Sequence, residues 1–195
     1  KDKHYNIIPF LTIPFSSSDK DFEKIVKVWS LYYEKEYYEV TKSDIGDLSL
    51  PSGCLYPKYV FVGEAPSKSR LSNKENSYYN TKTRIYTQGK NCLPFRILSN
   101  IVFGPQNWYT NMFKYAVFPE DKILDDRLLN SLVFLNREID ILHPQLIICL
   151  GNFVFGCVND SKLFTGYNIR KIFHPSYIMR NGNDLEMYKE NMNLI

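Results

Sequence analysis

The sequence predicts an α/β fold, specifically a three-layer α/β/α sandwich around a central, mostly parallel four-stranded sheet. Short β-rich apolar runs alternate along the chain with longer segments of helical periodicity. Strands that are separated by helices pair in parallel, because each crossover returns the chain to the same edge of the sheet. The composition, 44% hydrophobic and 15% aromatic, excludes a disordered or fibrous chain. A length of 195 residues fits one domain of ordinary size, so we expect residues 1–195 to form a single domain.

The elements follow from local patterns. Residues Asp19–Val40 carry apolar side chains at helical spacing and predict a first helix, within an N-terminal region (1–57) that packs on the domain. The four strands are predicted at Tyr59–Val62, Trp108–Phe113, Leu146–Leu150 and Arg170–Phe173. Further helices are predicted at 91–102, at Leu124–Leu142 and from Asp184 onwards. His143 is expected to cap the second of these helices, and the polar segment Ser67–Gln88 predicts a long surface loop.

Charge and hydropathy limit the classes of partner. The net charge of +3 permits binding to a polyanion without demanding it. No apolar run approaches the roughly 18 to 20 residues of a membrane span, and the first residues lack the apolar centre of a signal peptide, so we expect no membrane partner and an intracellular location, in the cytoplasm or nucleoid. We also expect a monomer. The four cysteines are scattered without a C-x-x-C pair, which favours reduced thiols over a metal cluster.

Four segments lie at or near the ends of predicted strands, where open α/β sheets bind ligands. They are Tyr59–Pro66, which ends in Gly63-Glu64-Ala65-Pro66; Tyr109–Lys114, which contains Asn111; Phe134–Gly151, which ends in Leu150-Gly151; and His174–Arg180, which begins with His174-Pro175-Ser176-Tyr177. In this order they resemble the uracil-DNA glycosylase superfamily, especially the branch that includes iron-sulfur members. The resemblance spans Tyr59 to Arg180. It departs at Tyr115, which stands where cluster-bearing members have a cysteine, so we expect neither a cluster nor any other cofactor.

The resemblance implies roles for individual residues. His174 would be catalytic, donating a hydrogen bond to the base carbonyl as negative charge develops there, and Glu64 would orient water or bind the base. Asn111 would recognise the base edge, and Tyr86 would stack on the base, with Tyr78, Tyr79 and Phe95 as competitors. The loop around the base would consist of Gly63, Ala65 and Pro66. The DNA backbone would be bound by Ser67, Lys68, Arg70, Ser176, Tyr177 and Arg180.

The predicted function is that of a monofunctional DNA glycosylase, which flips a pyrimidine, by default uracil, out of single- or double-stranded DNA and leaves an abasic site. Ala65 stands where other glycosylases have a water-positioning aspartate, and the loop Ser67–Gln88 is long. Both features leave open a bulky modified base, such as a hypermodified phage pyrimidine, and with it an anti-phage role. A catalytically silent DNA-binding module is a further alternative. Each candidate residue also has a plainer explanation, such as a strand-to-turn glycine at Gly63 or a turn histidine at His174.

Overall fold

The computed structural model describes residues 52–53, 56–65, 107–114 and 125–174, together with Lys24, Tyr177, Arg180, Glu186 and Glu190. Lys24 is helical and exposed, in the segment predicted as the first helix. The rest of that helix, the loop Ser67–Gln88 and the helix at 91–102 lie outside the described residues, and they stay predictions.

The described strands form one five-stranded sheet in the order β1-β3-β2-β4-β5. Their bounds are Ser52–Gly53 (β1), Tyr59–Gly63 (β2), Trp108–Asn111 (β3), Leu146–Leu150 (β4) and Ile169–Ile172 (β5). The pairs β2–β3, β2–β4 and β4–β5 are all parallel, and these four strands are the ones that the sequence predicts. β1 adds two residues antiparallel to β3 at the edge. The mostly parallel sheet is thereby confirmed.

Two helices and one 3-10 turn connect the strands at the carboxyl half of the chain. They are α1, Asp125–Leu142, α2, Asn152–Asn159, and the 3-10 turn Lys162–Phe164. The sequence predicts α1 to within one residue at its start but leaves α2 unassigned. The omission has a physical reason, since α2 has only eight residues and buries only Val154 and Val158, too few positions for a clear periodic pattern.

The predicted boundaries differ from the observed ones at three strands and near the end of the chain, and β2 ends at Gly63 instead of Val62. β3 ends at Asn111 instead of Phe113, and β5 lies one residue earlier than predicted. Tyr177 and Arg180 are helical, although the sequence predicts a loop there and a helix from Asp184 onwards. Such differences are ordinary because the apolar pattern does not stop where the hydrogen-bond ladder stops.

Both faces of the sheet are buried. On one face, Val60, Val62 and Cys149 join the core cluster that includes Leu135 and Ile139 of α1. Side chains on the other face are buried as well: Phe61 is 1% exposed and stacks on Tyr109 with ring centroids 5.2 Å apart. Burial on both faces is what a sheet inside a three-layer sandwich requires.

The end of α1 is closed by His143, as predicted. Its N–H donates to the carbonyl oxygen of Ile139 at 2.9 Å, and its φ of 46° turns the chain out of the helix. β4 then begins at Leu146, so His143 lies at the amino end of the parallel strands. Among the described residues, no helix combines the length and the apolar character needed to cross a membrane.

Candidate active site

The carboxyl ends of the four parallel strands meet at one edge of the sheet, and most of the described candidate residues lie there. In spatial order the edge presents Asn111 (β3), Gly63 (β2), Gly151 (after β4) and His174 (after β5). Neighbouring strands lie about 4.8 Å apart, so the backbones of the outer two strands are separated by roughly 14 Å. Asn111 and His174 therefore stand on the two outer strands of this edge, and the two positions between them are glycines, Gly63 and Gly151.

Gly63 and Asn111 are direct register partners on β2 and β3. A Cβ atom built on Gly63 would collide with Oδ1 of Asn111, so the amide of Asn111 extends across the space that a side chain at 63 would fill. Asn111 itself is 6% exposed. The absence of a side chain at Gly63 therefore leaves the space that the Asn111 amide occupies over the neighbouring strand.

Backbone hydrogen bonds continue this pairing into the loops that follow the strands. The N–H of Met112 donates to Gly63 O at 2.8 Å, and the N–H of Phe113 donates to Glu64 O at 2.8 Å. The loop after β2 and the turn after β3 therefore form one connected unit. Glu64 is exposed, whereas Ala65 is half-buried and packs against the core cluster.

Glu64 also lies within electrostatic reach of α2. Partial burial raises the pKa of the Cys157 thiol, and the charges of Glu64 and Asp160 raise it further. The exposed carboxylate of Glu64 therefore lies close enough to α2 for its charge to act on a thiol of that helix.

His174 is half-buried, immediately beyond the last strand of the sheet. Burial lowers the pKa of its imidazole, and the positive charge of Arg180 lowers it further. Its carbonyl accepts a hydrogen bond from the Tyr177 N–H at 2.8 Å, which begins the helical turn. At neutral pH the imidazole is therefore uncharged and has one N–H to donate.

The segment that follows β5 comes close to the end of β4 at Gly151. A Cβ on Gly151 would lie 3.7 Å from Cβ of His174, and the φ of Gly151 is +99°, a conformation that favours glycine. Its N–H donates to Ile172 O at 2.9 Å. The strand-ending Leu-Gly pair therefore positions the backbone beside the catalytic candidate, a role that the sequence did not assign to it.

An aromatic pair stands beside His174. The rings of Phe173 and Tyr177 stack with centroids 4.9 Å apart, and they are 37% and 43% exposed. Arg180 is exposed one helical turn beyond Tyr177. Tyr177 and Arg180 are the described members of the group predicted to bind the DNA backbone. They present an aromatic and a cationic side chain near the imidazole of His174.

The other predicted site residues lie outside the described part of the chain: Pro66, Ser67, Lys68, Arg70, Tyr86 and Ser176. The roles assigned to them stay predictions. Cys149 and Cys157 are free thiols. In the described ranges, no group of three or more His, Cys, Asp or Glu residues is placed to hold a metal ion.

Sequence reasoning also missed a buried polar group behind β3. Lys114 is 1% exposed and Glu138 of α1 is 1% exposed, and the two form an ion pair of 2.8 Å. Lys114 ends the motif segment Tyr109–Lys114 and Glu138 lies within Phe134–Gly151, but the sequence predicts no role for either residue. A lysine after an apolar strand and a glutamate on the apolar stripe of α1 were the available signals, since a buried charge needs a partner.

The comparison with known families agrees with this geometry. Residues 50–194 match the model of the Uracil DNA glycosylase superfamily, which is well over half of the chain. The chain belongs to the uracil-DNA glycosylase superfamily. No curated protein matches the chain. Members of this superfamily act on DNA, and membership supports a function of the DNA glycosylase type.

Within the superfamily, the resemblance noted in the sequence corresponds to positions at one edge of the sheet. Gly63, Glu64, Asn111 and His174 come from three segments spread over more than a hundred residues, and the parallel strands bring them to the same edge. The branch within the superfamily and the individual roles of these residues stay predictions.

Proposed function

We propose that this superfamily member hydrolyses the N-glycosidic bond of a pyrimidine flipped out of DNA, with uracil as the default base and an abasic site as the product. The observation that carries the proposal is the pair Gly63 and Asn111, whose geometry extends the Asn111 amide over the carboxyl edge that His174 shares. An amide has a donor and an acceptor, so it can match a pyrimidine edge and penalise a base with the opposite pattern.

His174 stabilises the leaving base in this mechanism. As the glycosidic bond breaks, negative charge collects on the base oxygen, and a donor aimed there binds the transition state more tightly than the ground state. The lowered pKa of His174 supports a neutral imidazole in this role. A neutral donor is ready at physiological pH without first losing a proton.

Glu64 is the carboxylate available to orient the attacking water. The next position, which holds an aspartate in other glycosylases, is occupied here by Ala65, and its half-buried methyl group packs on the core cluster. Leaving-group stabilisation by His174 and Asn111 therefore supplies most of the acceleration. Phe173, Tyr177 and Arg180 bind the DNA next to the flipped nucleotide, through aromatic contact and phosphate charge.

Release of free uracil from a uracil-containing duplex, detected by mass spectrometry and by alkaline cleavage of the abasic strand, tests the proposal. His174→Ala should lower the rate by about 100-fold or more, the loss typical when one transition-state donor is removed. His143→Ala is the matched control, because His143 lies at the opposite, amino end of the strands. No released base from any DNA, even at high protein concentration, would favour a catalytically silent DNA-binding module.

A second candidate is the same reaction on a bulky modified base, such as a hypermodified phage pyrimidine, with a role in defence against phage. Two features of the sequence favour it: Ala65 replaces a water-positioning aspartate, and the polar segment Ser67–Gln88 is long. The same assay on phage DNA separates the two candidates. Release of the modified base without release of uracil selects this second substrate.

A further inference from the structure

Four buried hydrogen bonds form one network around a single carboxylate behind β3. Glu138 Oε1 accepts from Trp108 Nε1 at 2.7 Å, and Oε2 accepts from Thr110 Oγ1 at 3.2 Å and from Lys114 Nζ at 2.8 Å. Lys114 Nζ also donates to Thr110 Oγ1 at 2.6 Å. Three residues of β3 and its following turn are therefore tied to a single position on α1.

The network does more than hold α1 against the sheet. Well-packed apolar side chains of the same volume would bind the helix to the sheet at least as well, because the desolvation of a buried ion pair offsets much of its attraction. What charge-assisted hydrogen bonds add is direction, since they fix distances and angles that apolar contacts leave free. The buried ion pair thus restricts where the end of β3 lies.

Asn111 stands at the centre of the restricted segment. Thr110 precedes it and points to α1, and Lys114 follows it by three residues and returns to the same carboxylate. From the other side, the N–H groups of Met112 and Phe113 donate to the carbonyl oxygens of Gly63 and Glu64. The turn after β3 is thereby held from both sides, by α1 behind it and by the loop after β2 in front.

We infer that Lys114 and Glu138 are positioning residues for base recognition: their ion pair fixes the end of β3 so that the Asn111 amide lies over Gly63 in the orientation that matches the base. The inference rests on the proposed function of this edge. Neither residue touches the base in this arrangement, and both act through Asn111.

Three variants separate positioning from folding. Lys114→Met and Glu138→Gln each leave one buried group without its charged partner, so both should lower the melting temperature. In the double variant neither charge remains, the amide oxygen of the new glutamine accepts from Trp108, and its amide nitrogen can donate to Thr110 Oγ1 in place of Lys114, so the melting temperature should largely recover. The tie from the turn to α1 stays broken, so the turnover number on uracil DNA should remain about tenfold or more below that of the unchanged protein.

The same variants should lose base discrimination, whereas KM for the duplex should change little, because phosphate contacts are untouched. The measured ratio is uracil release over release of a mismatched thymine. Val158→Ala serves as the control that only destabilises, since Val158 is fully buried on α2, away from the network. Recovery of both melting temperature and turnover in the double variant, or an equal loss in Val158→Ala, would overturn the inference.

A readout without DNA keeps the inference testable if the protein releases no base. The side-chain amide signals of Asn111 in a ¹⁵N NMR spectrum should shift or broaden in Lys114→Met and in the double variant, and stay in place in Val158→Ala. Unchanged Asn111 signals in both network variants would reject the positioning role. Absence of base release by the unchanged protein would reject the proposed function instead.

Discussion

Gly63 and Asn111 lie so close that a side-chain atom added to Gly63 would displace the amide of Asn111. At the scale of single residues, this contact connects a backbone requirement to a chemical one. Gly63 does not need a positive φ, since it pairs in register within β2. What it supplies is space, and Asn111 fills that space with the group proposed to recognise the base.

Gly63→Ala should therefore inactivate the site while leaving the fold intact. The added methyl group meets Asn111 Oδ1, so the amide must rotate away, and we expect base release to fall by about 100-fold. Rates of base release and melting temperatures are the measurements. Gly156→Ala is the matched control, because a Cβ there meets nothing within 4 Å and helix α2 gains about 0.5–1 kcal/mol. Full activity of Gly63→Ala would contradict the role of Asn111.

Arg180 should set the acidic limit of activity through His174. Burial and the charge of Arg180 both lower the pKa of the imidazole. His174 therefore remains neutral at pH values somewhat below 6.5, its ordinary pKa. Arg180→Gln removes the second of these causes, so the pKa of His174 rises. The acidic limb of the pH profile of the turnover number should therefore move to higher pH. Because protonation is disfavoured only in the folded protein, the unchanged chain should also lose stability as pH falls below about 6.5.

The measurement is the turnover number at saturating DNA between pH 4.5 and 8, which keeps any weaker DNA binding out of the comparison. Arg170→Gln removes another exposed cation, on β5, that does not contribute to the lowered pKa of His174, and should leave the acidic limb of the pH profile in place. An acidic limb that is identical in Arg180→Gln and the unchanged protein would show that His174 does not control it.

At the scale of elements, α1 contributes both stability and alignment. Leu132, Leu135, Ile139 and Leu142 form its buried stripe, and Glu138 interrupts that stripe with the buried carboxylate. A second polar tie joins α1 to the chain after the 3-10 turn, where Tyr167 OH donates to Asp140 Oδ1 at 2.5 Å. The helix is thereby attached to β3 and to the segment that leads into β5.

Leu135→Ala should lower the free energy of unfolding by about 2–5 kcal/mol, because Leu135 is fully buried and the change leaves a cavity. Leu129→Ala makes the same chemical change on the same helix at a side chain that is 55% exposed, and should cost about 0.5 kcal/mol or less. Urea unfolding of both variants measures the difference. Equal losses would mean that the packing of α1 on the sheet is not as described.

At the scale of the whole molecule, the central strands β2 and β4 should open only when the domain unfolds. Cys149 reports this opening because it is fully buried in β4. Burial raises the pKa of its thiol to about 12, with a smaller contribution from the nearby Cys157. A thiol must be deprotonated and accessible to react, so Cys149 meets neither condition in the folded protein.

Alkylation of Cys149 should therefore follow global unfolding. Iodoacetamide in increasing urea, with labelled peptides quantified by mass spectrometry, should modify Cys149 along the same curve as circular dichroism. Cys157 is half-buried and should react at lower urea. Modification of Cys149 in native buffer as fast as Cys157 would show that the sheet opens locally.

Much of this molecule follows from local pattern. Apolar runs mark β2 and β4 because strands buried on both faces need continuous hydrophobic residues, and the long stripe of α1 marks a helix because its period persists over five turns. The order of the motifs was enough to indicate the superfamily. Helix α2 and the two-residue strand β1 escaped prediction because they are too short for a period to develop.

The sequence by itself determined the mostly parallel α/β fold, the superfamily and the identity of Gly63, Glu64, Asn111 and His174 as candidates, since these depend on residue type and order. Only the tertiary structure decided why position 63 has no side chain and what holds Asn111 in place. Both answers depend on contacts between residues far apart in the chain: Gly63 with Asn111, and Lys114 with Glu138. Local sequence pattern does not specify which distant residues will be in contact, because these contacts form only when the strands and α1 pack together.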